Sequence, residues 1–166
     1  METIVWPHDV RAETDRAIGM WLFCVAGMVA IMVVIGGITR LTGSGLSMVE
    51  WRPLIGWLPP LSEEAWLRAF ALYQNSPEYL KVNAWMGLDD FRQIFWWEYV
   101  HRLWGRLIGL AFVIPFAWFV IRGQVRASLI PRLLILFVLG GLQGAVGWWM
   151  VKSGLLDDPA VSQYRL

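Results

Sequence analysis

Four residues that could do chemistry stand together just before an apolar run in the middle of the chain. Glu98, His101, Arg102 and Arg106 fall within nine positions, and the 15 residues Leu107–Ile121 that follow carry no charge. A carboxylate can transfer protons or stabilise positive charge, an imidazole can bind a metal, and guanidiniums pair with anions. Because ionisable side chains inside a membrane span are costly, a functional site is the first hypothesis here.

The spacing around the imidazole favours a haem. Glu98 and His101 are three positions apart, and Gly105 and Gly109 continue the same helical face. Because glycines leave no side chains below the histidine, a flat macrocycle or another backbone could approach the helix closely. Haem iron accepts an imidazole nitrogen. The pattern therefore predicts haem ligation by His101, with Gly105 giving room to the ring.

The same residues allow a simpler interpretation. Glu98 can pair with Arg102 at a spacing of four, while His101 lies in the lipid headgroup region. A di-iron carboxylate site is disfavoured, because it needs a Glu-x-x-His motif from each of two helices and this chain has one such motif. The residues alone leave the ion pair and the haem site both open.

The composition places these residues in a membrane protein. The chain has 166 residues, 57% of them hydrophobic and 12 of them tryptophan, and its mean hydropathy is positive. Soluble domains of this size carry more charge and far less tryptophan. The net charge of +1 gives no argument for nucleic acid as a partner, and the single cysteine excludes an internal disulfide.

Three membrane spans are predicted. Residues 17–39 and 133–151 form charge-free runs of 23 and 19 residues, enough to cross the hydrocarbon core. Residues 107–121 reach only about 22 Å, so their helix must extend back towards residue 96. We therefore predict an all-α integral membrane protein with spans at about 17–39, 96–121 and 133–151.

Charge sets the predicted orientation. The connection 122–132 has three arginines and no acid, whereas the segment 40–92 balances five basic against six acidic residues. The positive-inside rule then places residues 1–16 and the connection in the cytoplasm, and the loop 40–95 and the C-terminus outside. The N-terminal segment resembles neither a cleavable signal nor a transit peptide, which favours a bacterial cytoplasmic membrane.

The outer loop is predicted to be structured. Ser62 can cap a helix over residues 63–73, with acids in its first turn and with Trp66 and Phe70 on one face. Ser76 and Pro77 can start a second helix in the same way. Such amphipathic helices are expected to lie on the outer surface and cover the bundle.

Two glycine-containing segments carry the remaining candidates for a functional or packing role. Gly140 and Gly144 in the third span have the spacing of close helix contacts, and ordinary packing explains them best. At the end of the first span, Arg40 follows two glycines at the outer interface. It could meet an anionic group there or be solvated.

Several stretches together resemble the haem A synthase family, from about Ile35 to Leu166. They are "GGITRLTGSGLSMVEWRPLIGWLPP", "FWWEYVHRLWGR", "LQGAVGWWMVKSGL" and the final "VSQYRL". The family oxidises a ring methyl of haem O to a formyl group, giving haem A for terminal oxidases. The resemblance implies two four-helix bundles in one chain, of which residues 17–166 form most of the first, substrate-binding bundle.

The resemblance also implies roles for the site residues. His101 would be an axial ligand of the haem iron and Glu98 the essential carboxylate near the reacting methyl. Arg40, Arg102 and Arg106 are candidates for the haem propionates. The second axial histidine and a haem B cofactor belong to a C-terminal half beyond Leu166, so this chain is expected to be incomplete as an enzyme.

Partners and rival functions follow from the same resemblance. The expected partners are haem O as substrate and membrane lipid, with haem O synthase, oxidase assembly factors and a second copy as further candidates. One rival is a haem-binding electron-transfer subunit without oxidation chemistry of its own, and another is an assembly factor without haem. Glu98 distinguishes the enzyme from the electron-transfer subunit, because electron transfer needs the histidine but not the carboxylate.

Overall fold

The protein is built from three long helices, with two shorter elements between the first and the second of them. The computed structural model describes residues 8–50 and 57–156. The elements are α1 (His8–Leu41), α2 (Glu63–Gln74), a π-helical turn (Tyr79–Asn83), α3 (Leu88–Ile121) and α4 (Ile130–Leu156). The described residues contain no β-strand, which confirms the all-α prediction.

Helices α1, α3 and α4 are long and apolar enough to cross a membrane. Their candidate spans are Arg11–Leu41, Leu88–Ile121 and Ile130–Leu155, with 31, 34 and 26 residues, against roughly 20 needed to cross the hydrocarbon core. Large apolar side chains such as Phe23 and Val33 are exposed on them, as expected for surfaces that face lipid. The predicted architecture of three membrane helices is confirmed.

Residues 42–50 and 57–87 lie at one end of the long helices, which we call the loop end. The link between α3 and α4 and the start of α1 lie at the opposite end, the connection end. Helix α1 finishes at the loop end in a tight turn, where Gly43 has φ +64° and Ser44 N donates to Thr39 O at 2.9 Å. A positive φ favours glycine at this position.

The loop end contains the two predicted short elements. Ser62 caps α2 by accepting a hydrogen bond from Ala65 N at 3.2 Å, as the sequence indicated. Ser76 likewise accepts from Tyr79 N at 3.2 Å, but the segment continues as a π-helical turn and ends at Asn83. Helix α2 packs on α3 through a core made of Trp66, Tyr73, Phe91, Ile94, Phe95 and Tyr99. Tyr79 of the π-helical turn packs on α2, against the rings of Phe70 and Tyr73.

Helix α3 begins at Leu88, eight residues before the predicted span at residue 96. Its first turn carries Asp89 and Asp90, and the Asp90 carboxylate accepts a hydrogen bond from Gly87 N at 3.0 Å. Acids at a helix N-terminus are stabilised by the orphan amides and the helix dipole. The first two turns of α3 thus form the wall against which α2 packs.

Helices α1 and α3 run antiparallel and are joined by hydrogen bonds at several levels. Thr39 Oγ1 donates to Trp97 O at 3.5 Å near the loop end, and Trp104 Nε1 donates to Met28 O at 2.9 Å in the middle. Near the connection end, Trp21 Nε1 donates to Ala111 O at 2.7 Å. These bonds set the rotation and register of α1 against the face of α3 that carries the candidate site.

Helix α4 contacts the other helices mainly near its two ends. Near the connection end its Leu133 is buried, and Phe137 stacks on Phe112 with ring centroids 6.2 Å apart. At the loop end the backbone at Gly154 meets the Leu46 side chain, which lies 3.0 Å from where a Cβ would stand. Residues 138–146 between these contacts are exposed along their whole length.

Gly140 and Gly144 of α4 have no other helix against them among the described residues. A Cβ built at Gly140 or Gly144 would meet nothing within 4 Å. The prediction that these glycines pack in an ordinary helix contact is therefore wrong for the part of the chain that the structure describes. The spacing allowed a close contact, but it could not say whether a partner helix is present.

Candidate functional site

The Glu98 carboxylate lies inside the protein, at the loop end of the α1–α3 pair. The residue is 2% exposed. Its Oε2 accepts hydrogen bonds from Ser47 Oγ at 2.6 Å and from Met48 N at 2.7 Å. Its Oε1 accepts from the Arg102 guanidinium, one turn along α3. The turn at Gly43 folds residues 44–48 back onto α3, which brings these donors to the carboxylate.

Arg102 closes a ring of contacts around this carboxylate. Besides Glu98, its Nη2 donates to Met48 O at 3.1 Å, so the arginine bridges the carboxylate and the loop. Its side chain is 14% exposed. The Glu98–Arg102 pair, one of the two arrangements that the sequence left open, is therefore present. It holds the loop after α1 on α3, and we call this arrangement the Glu98 clamp.

The His101 imidazole lies against α1. A Cβ placed on Gly36 would stand 3.4 Å from His101 Nε2 and 3.7 Å from Cδ2, so the ring lies in a recess at Gly36 that a side chain larger than a methyl group would fill. The glycine beside the imidazole is thus on the neighbouring helix. On α3 itself, the Cβ position of Gly105 lies 3.5 Å from Met32 Cε of α1, whereas Gly109 is open.

The arginines proposed for an anionic group are placed differently from one another. Arg102 belongs to the Glu98 clamp. The guanidinium of Arg106 stands over the Trp57 ring, 5.4 Å from its centroid, a cation–π distance. Arg40 is exposed at the end of α1. The structure therefore brings Glu98, His101, Arg102 and Arg106 together on one helix and leaves Arg40 at the rim.

Sequence reasoning missed several residues that shape this site. Ser47 and the backbone of Met48 supply donors to Glu98, and Gly36 makes room for His101. Tyr99 Oη donates to Trp57 O at 2.7 Å, which holds the second half of the loop against α3. The signal was "GGITRLTGSGLSM", a stretch rich in glycines and hydroxyls. It indicates a tight turn but does not say which residue of α3 the turn meets.

The buried polar residues form a layer at the loop end, where the clamp also lies. Every buried polar or charged side chain in the described part of the chain lies between residues 39 and 98. Asn83 Nδ2 donates to Tyr73 Oη at 2.7 Å within this layer. Burial raises the pKa of Tyr73 to about 12, so its hydroxyl stays protonated at neutral pH. The full set is Thr39, Ser44, Ser47, Ser76, Glu78, Asn83 and Glu98.

The donor chemistry fits a haem better than a bare metal ion. Among the described residues, no group of three or more His, Cys, Asp and Glu side chains could hold a metal ion. Haem iron needs only one protein nitrogen on each face, and His101 offers one beside two arginines. Because Nε2 faces the recess at Gly36, the ring must turn away from α1 to bind iron through that atom.

Comparison with known proteins identifies the family. Residues 19–166 match the sequence profile of a family described as cytochrome oxidase assembly protein, which covers most of the chain. The chain belongs to this family. No solved structure matches it significantly.

Curated relatives in this family are named haem A synthase. One from Parvibaculum lavamentivorans is 59% identical over 151 residues, covering 91% of this chain and 44% of the relative. One from Paramagnetospirillum magneticum is 52% identical over 158 residues (95% and 45%). One from Nitrosospira multiformis is 54% identical over 164 residues (99% and 46%). The chain spans about half the length of the curated relatives it matches.

Proposed function

We propose that this chain is the substrate-binding half of a haem A synthase, which oxidises a ring methyl of haem O to a formyl group. The observation that carries the proposal is the buried Glu98 carboxylate, held one turn before His101 on the same helix. The names of relatives that are more than half identical over most of the chain support it. Haem B would be held by residues outside this chain.

In the proposed reaction His101 binds the iron of haem O, and Arg106 and Arg40 pair with its propionates. Arg102 remains a candidate for that role, although the clamp already occupies it. The reaction consists of two successive two-electron oxidations of the methyl carbon, followed by loss of water from the gem-diol. Each oxidation adds a hydroxyl group from water, releases two protons and passes two electrons to an acceptor outside this chain. The porphyrin edge supplies the reactive carbon, whereas the protein supplies position and charge.

Glu98 contributes fixed negative charge and a site for protons. Three donors hold its oxygens in place, so the carboxylate needs no reorganisation when positive charge develops at a nearby methyl carbon. Arg102 compensates the carboxylate while the site is empty, and burial lowers the local dielectric, which strengthens both interactions. Protons released by the oxidations need a nearby base, and Glu98 is the buried carboxylate on the His101 helix.

One observation removes the argument against the rival electron-transfer function. The carboxylate of Glu98 anchors Ser47 and Met48 of the loop, so it has a structural task even if no oxidation occurs. The presence of the carboxylate therefore no longer separates an enzyme from a haem-binding electron carrier. The effect of substituting Glu98 must therefore distinguish the enzyme from the electron carrier.

The proposed location is a bacterial cytoplasmic membrane with the connection end inside. Arg122, Arg126 and Arg132 lie at that end, and the Arg126 guanidinium pairs with Asp15 of α1. The site would then face the outer side. Membrane lipid, haem O synthase, oxidase assembly factors and a second copy are the proposed partners.

The deciding experiment is Glu98→Gln in protein of the relatives' full length. Glutamine keeps the shape but removes the charge, so haem O should still bind while haem A formation falls at least about tenfold, or roughly 1.4 kcal/mol of barrier. Haem content by absorbance and haem A yield by chromatography measure the two effects. Glu64→Gln, at an exposed position of α2, is the matched control.

The clamp makes a stability control necessary. Breaking a buried ion pair costs about 3–5 kcal/mol, so Glu98→Gln could lower the amount of folded protein. The thermal midpoint and the haem content per folded molecule correct for this effect. Haem A formation at the wild-type rate per folded molecule would contradict the enzymatic role of Glu98 and favour the electron carrier.

A further inference from the structure

An apolar groove lies between α3 and α4, towards the connection end. Its volume is about 380 Å³, within the range of about 300 to 1,000 Å³ that is usual for sites of small organic ligands. The residues that line it are all apolar, and they include Val113, Phe116, Ala117 and Val120 of α3 with Leu134 and Phe137 of α4. The groove therefore has room for a hydrocarbon chain, and its lining offers no polar side chain to a charged one.

The groove continues the face of α3 that carries the candidate site. Five residues mark a single stripe along this helix, since each stands three or four positions after the last: Arg102, Arg106, Gly109, Val113 and Ala117. A Cβ built at Gly109, in the middle of the stripe, would meet nothing within 4 Å among the described residues. The stripe is therefore open between the two arginines and the groove.

The polarity of this stripe changes along the helix. The Arg106 guanidinium stands over the Trp57 ring of the loop end, because long side chains on a helix lean towards its N-terminus. Past Gly109 the stripe is wholly apolar. The groove begins at Val113, about 10 Å beyond Arg106 along the helix axis, and runs for roughly another 10 Å to Val120. A ligand complementary to the stripe has anionic groups at one end and a hydrocarbon chain at the other.

Haem O has this distribution of polarity. Its propionates leave one edge of the porphyrin, and its long isoprenoid chain leaves the opposite edge. His101 stands one position before Arg102, at the border of the stripe, and its ring must turn away from α1 to bind iron through Nε2. With the iron on His101 and a propionate on Arg106, the isoprenoid chain points along α3 towards the connection end, where the groove lies.

We propose that the groove between α3 and α4 binds the isoprenoid chain of haem O. This inference rests on the proposed function, in which His101 binds the iron and Arg106 pairs with a propionate. The groove then distinguishes haem O from haem B, which has the same ring without the chain. It also orients the porphyrin, because a chain held at the connection end leaves the propionates at the loop end, beside the Glu98 clamp.

The test compares the affinities of the full-length protein for added haem O and added haem B, measured by absorbance. Wild type should bind haem O at least about tenfold more tightly than haem B, or roughly 1.4 kcal/mol. Ala117→Trp fills the groove, so it should weaken haem O binding about tenfold and leave haem B binding unchanged. Ala30→Trp, at an exposed position of α1, is the matched control and should keep the preference.

Membrane lipid is the competing occupant, because the groove is open on one side. Leu134 and Phe137 at its rim are 46% and 47% exposed. If an acyl chain of the bilayer fills the groove, Ala117→Trp will leave haem O affinity unchanged, which would overturn the proposal. An equal loss of affinity for both haems would overturn it too, since the ring and not the chain would then be affected.

A smaller substitution guards against misfolding. Should the thermal midpoint show that Ala117→Trp folds poorly, Ala117→Leu decides, because leucine occupies less of the groove and suits a helix. It should shift the ratio of the two affinities in the same direction by a smaller factor. A ratio equal to that of wild type would contradict the assignment.

The two proposals fail in different ways. If Glu98→Gln makes haem A at the wild-type rate, the enzymatic role of Glu98 is wrong, while the ratio of affinities still decides whether the groove holds the chain. If Glu98→Gln stalls the reaction and Ala117→Trp leaves haem O affinity unchanged, only the assignment of the groove is wrong.

Discussion

At the scale of single residues, Glu98 and His101 have partners that are more than 45 positions away in the chain. Glu98 binds Ser47 and Met48, and His101 rests in the recess at Gly36. Each partner contributes something that a larger or less polar residue would remove: a hydroxyl, a backbone amide or the lack of a side chain. The site therefore depends on small residues of the α1 exit as much as on α3.

The recess gives a prediction at this scale. Gly36→Leu fills the space beside Nε2, displaces the His101 ring and pushes α1 from α3, so haem O should bind about tenfold more weakly, or roughly 1.4 kcal/mol. Titration of the full-length protein with haem O, followed by absorbance, measures the affinity. Gly37→Leu is the matched control, because a Cβ at that exposed position meets nothing within 4 Å. Equal affinities for the two variants would show that the recess has no role.

At the scale of elements, Pro115 explains one of the bonds between α1 and α3. Proline has no amide hydrogen, so the carbonyl of Ala111 four residues earlier lacks its helical donor. Trp21 Nε1 of α1 donates to this carbonyl at 2.7 Å. An unsatisfied carbonyl is costly in lipid. Pro115 leaves the Ala111 carbonyl without its helical donor, and the Trp21 indole replaces that donor.

A double-mutant cycle tests this pairing. Trp21→Phe should destabilise the protein more with Pro115 present than in Pro115→Ala, where the amide at position 115 again bonds to Ala111. We expect a coupling energy of about 0.6–1.7 kcal/mol, the range of hydrogen bonds between membrane helices. Unfolding in mixed detergent micelles measures it.

Trp104→Phe supplies the control for this cycle. Its indole also donates to a carbonyl of α1, at Met28, but that carbonyl keeps its helical donor at Met32. Trp104→Phe should therefore show no dependence on Pro115. If the effects of Trp21→Phe and Pro115→Ala add within about 0.3 kcal/mol, the explanation is wrong.

At the scale of the whole molecule, α1, α2 and α3 form one packed unit, with α4 attached to it near its two ends. The middle of α4, at residues 138–146, is exposed among the described residues. The orientation of the helices in the membrane decides from which side of the membrane the proposed site exchanges protons.

Cysteine labelling tests the orientation. In a Cys24→Ala background, Leu61→Cys at the loop end should react with an impermeant maleimide in intact cells, because Leu61 is 77% exposed just before α2. Ala127→Cys, exposed in the link between α3 and α4, should react only after permeabilisation. The reverse pattern would place the site on the cytoplasmic side.

The sequence by itself determined the features that depend on neighbouring residues. Charge-free runs long enough for lipid predicted the membrane helices, and Ser62 followed by acids predicted the start of α2. The spacing of Glu98, His101 and Arg102 placed them within one turn or so of each other near the end of a helix, because helical periodicity is local. The possible pair of Glu98 with Arg102 was visible for the same reason.

Only the tertiary structure decided which residues meet across helices. The glycine beside His101 is Gly36 of α1, and the donors to Glu98 come from the loop after α1. Gly140 and Gly144 of α4 contact no other helix in the described part of the chain. These outcomes depend on the rotation and register of long helices, which hydrophobicity does not specify, since lipid is as apolar as a protein interior. They are set instead by a few small residues and polar contacts far apart in sequence.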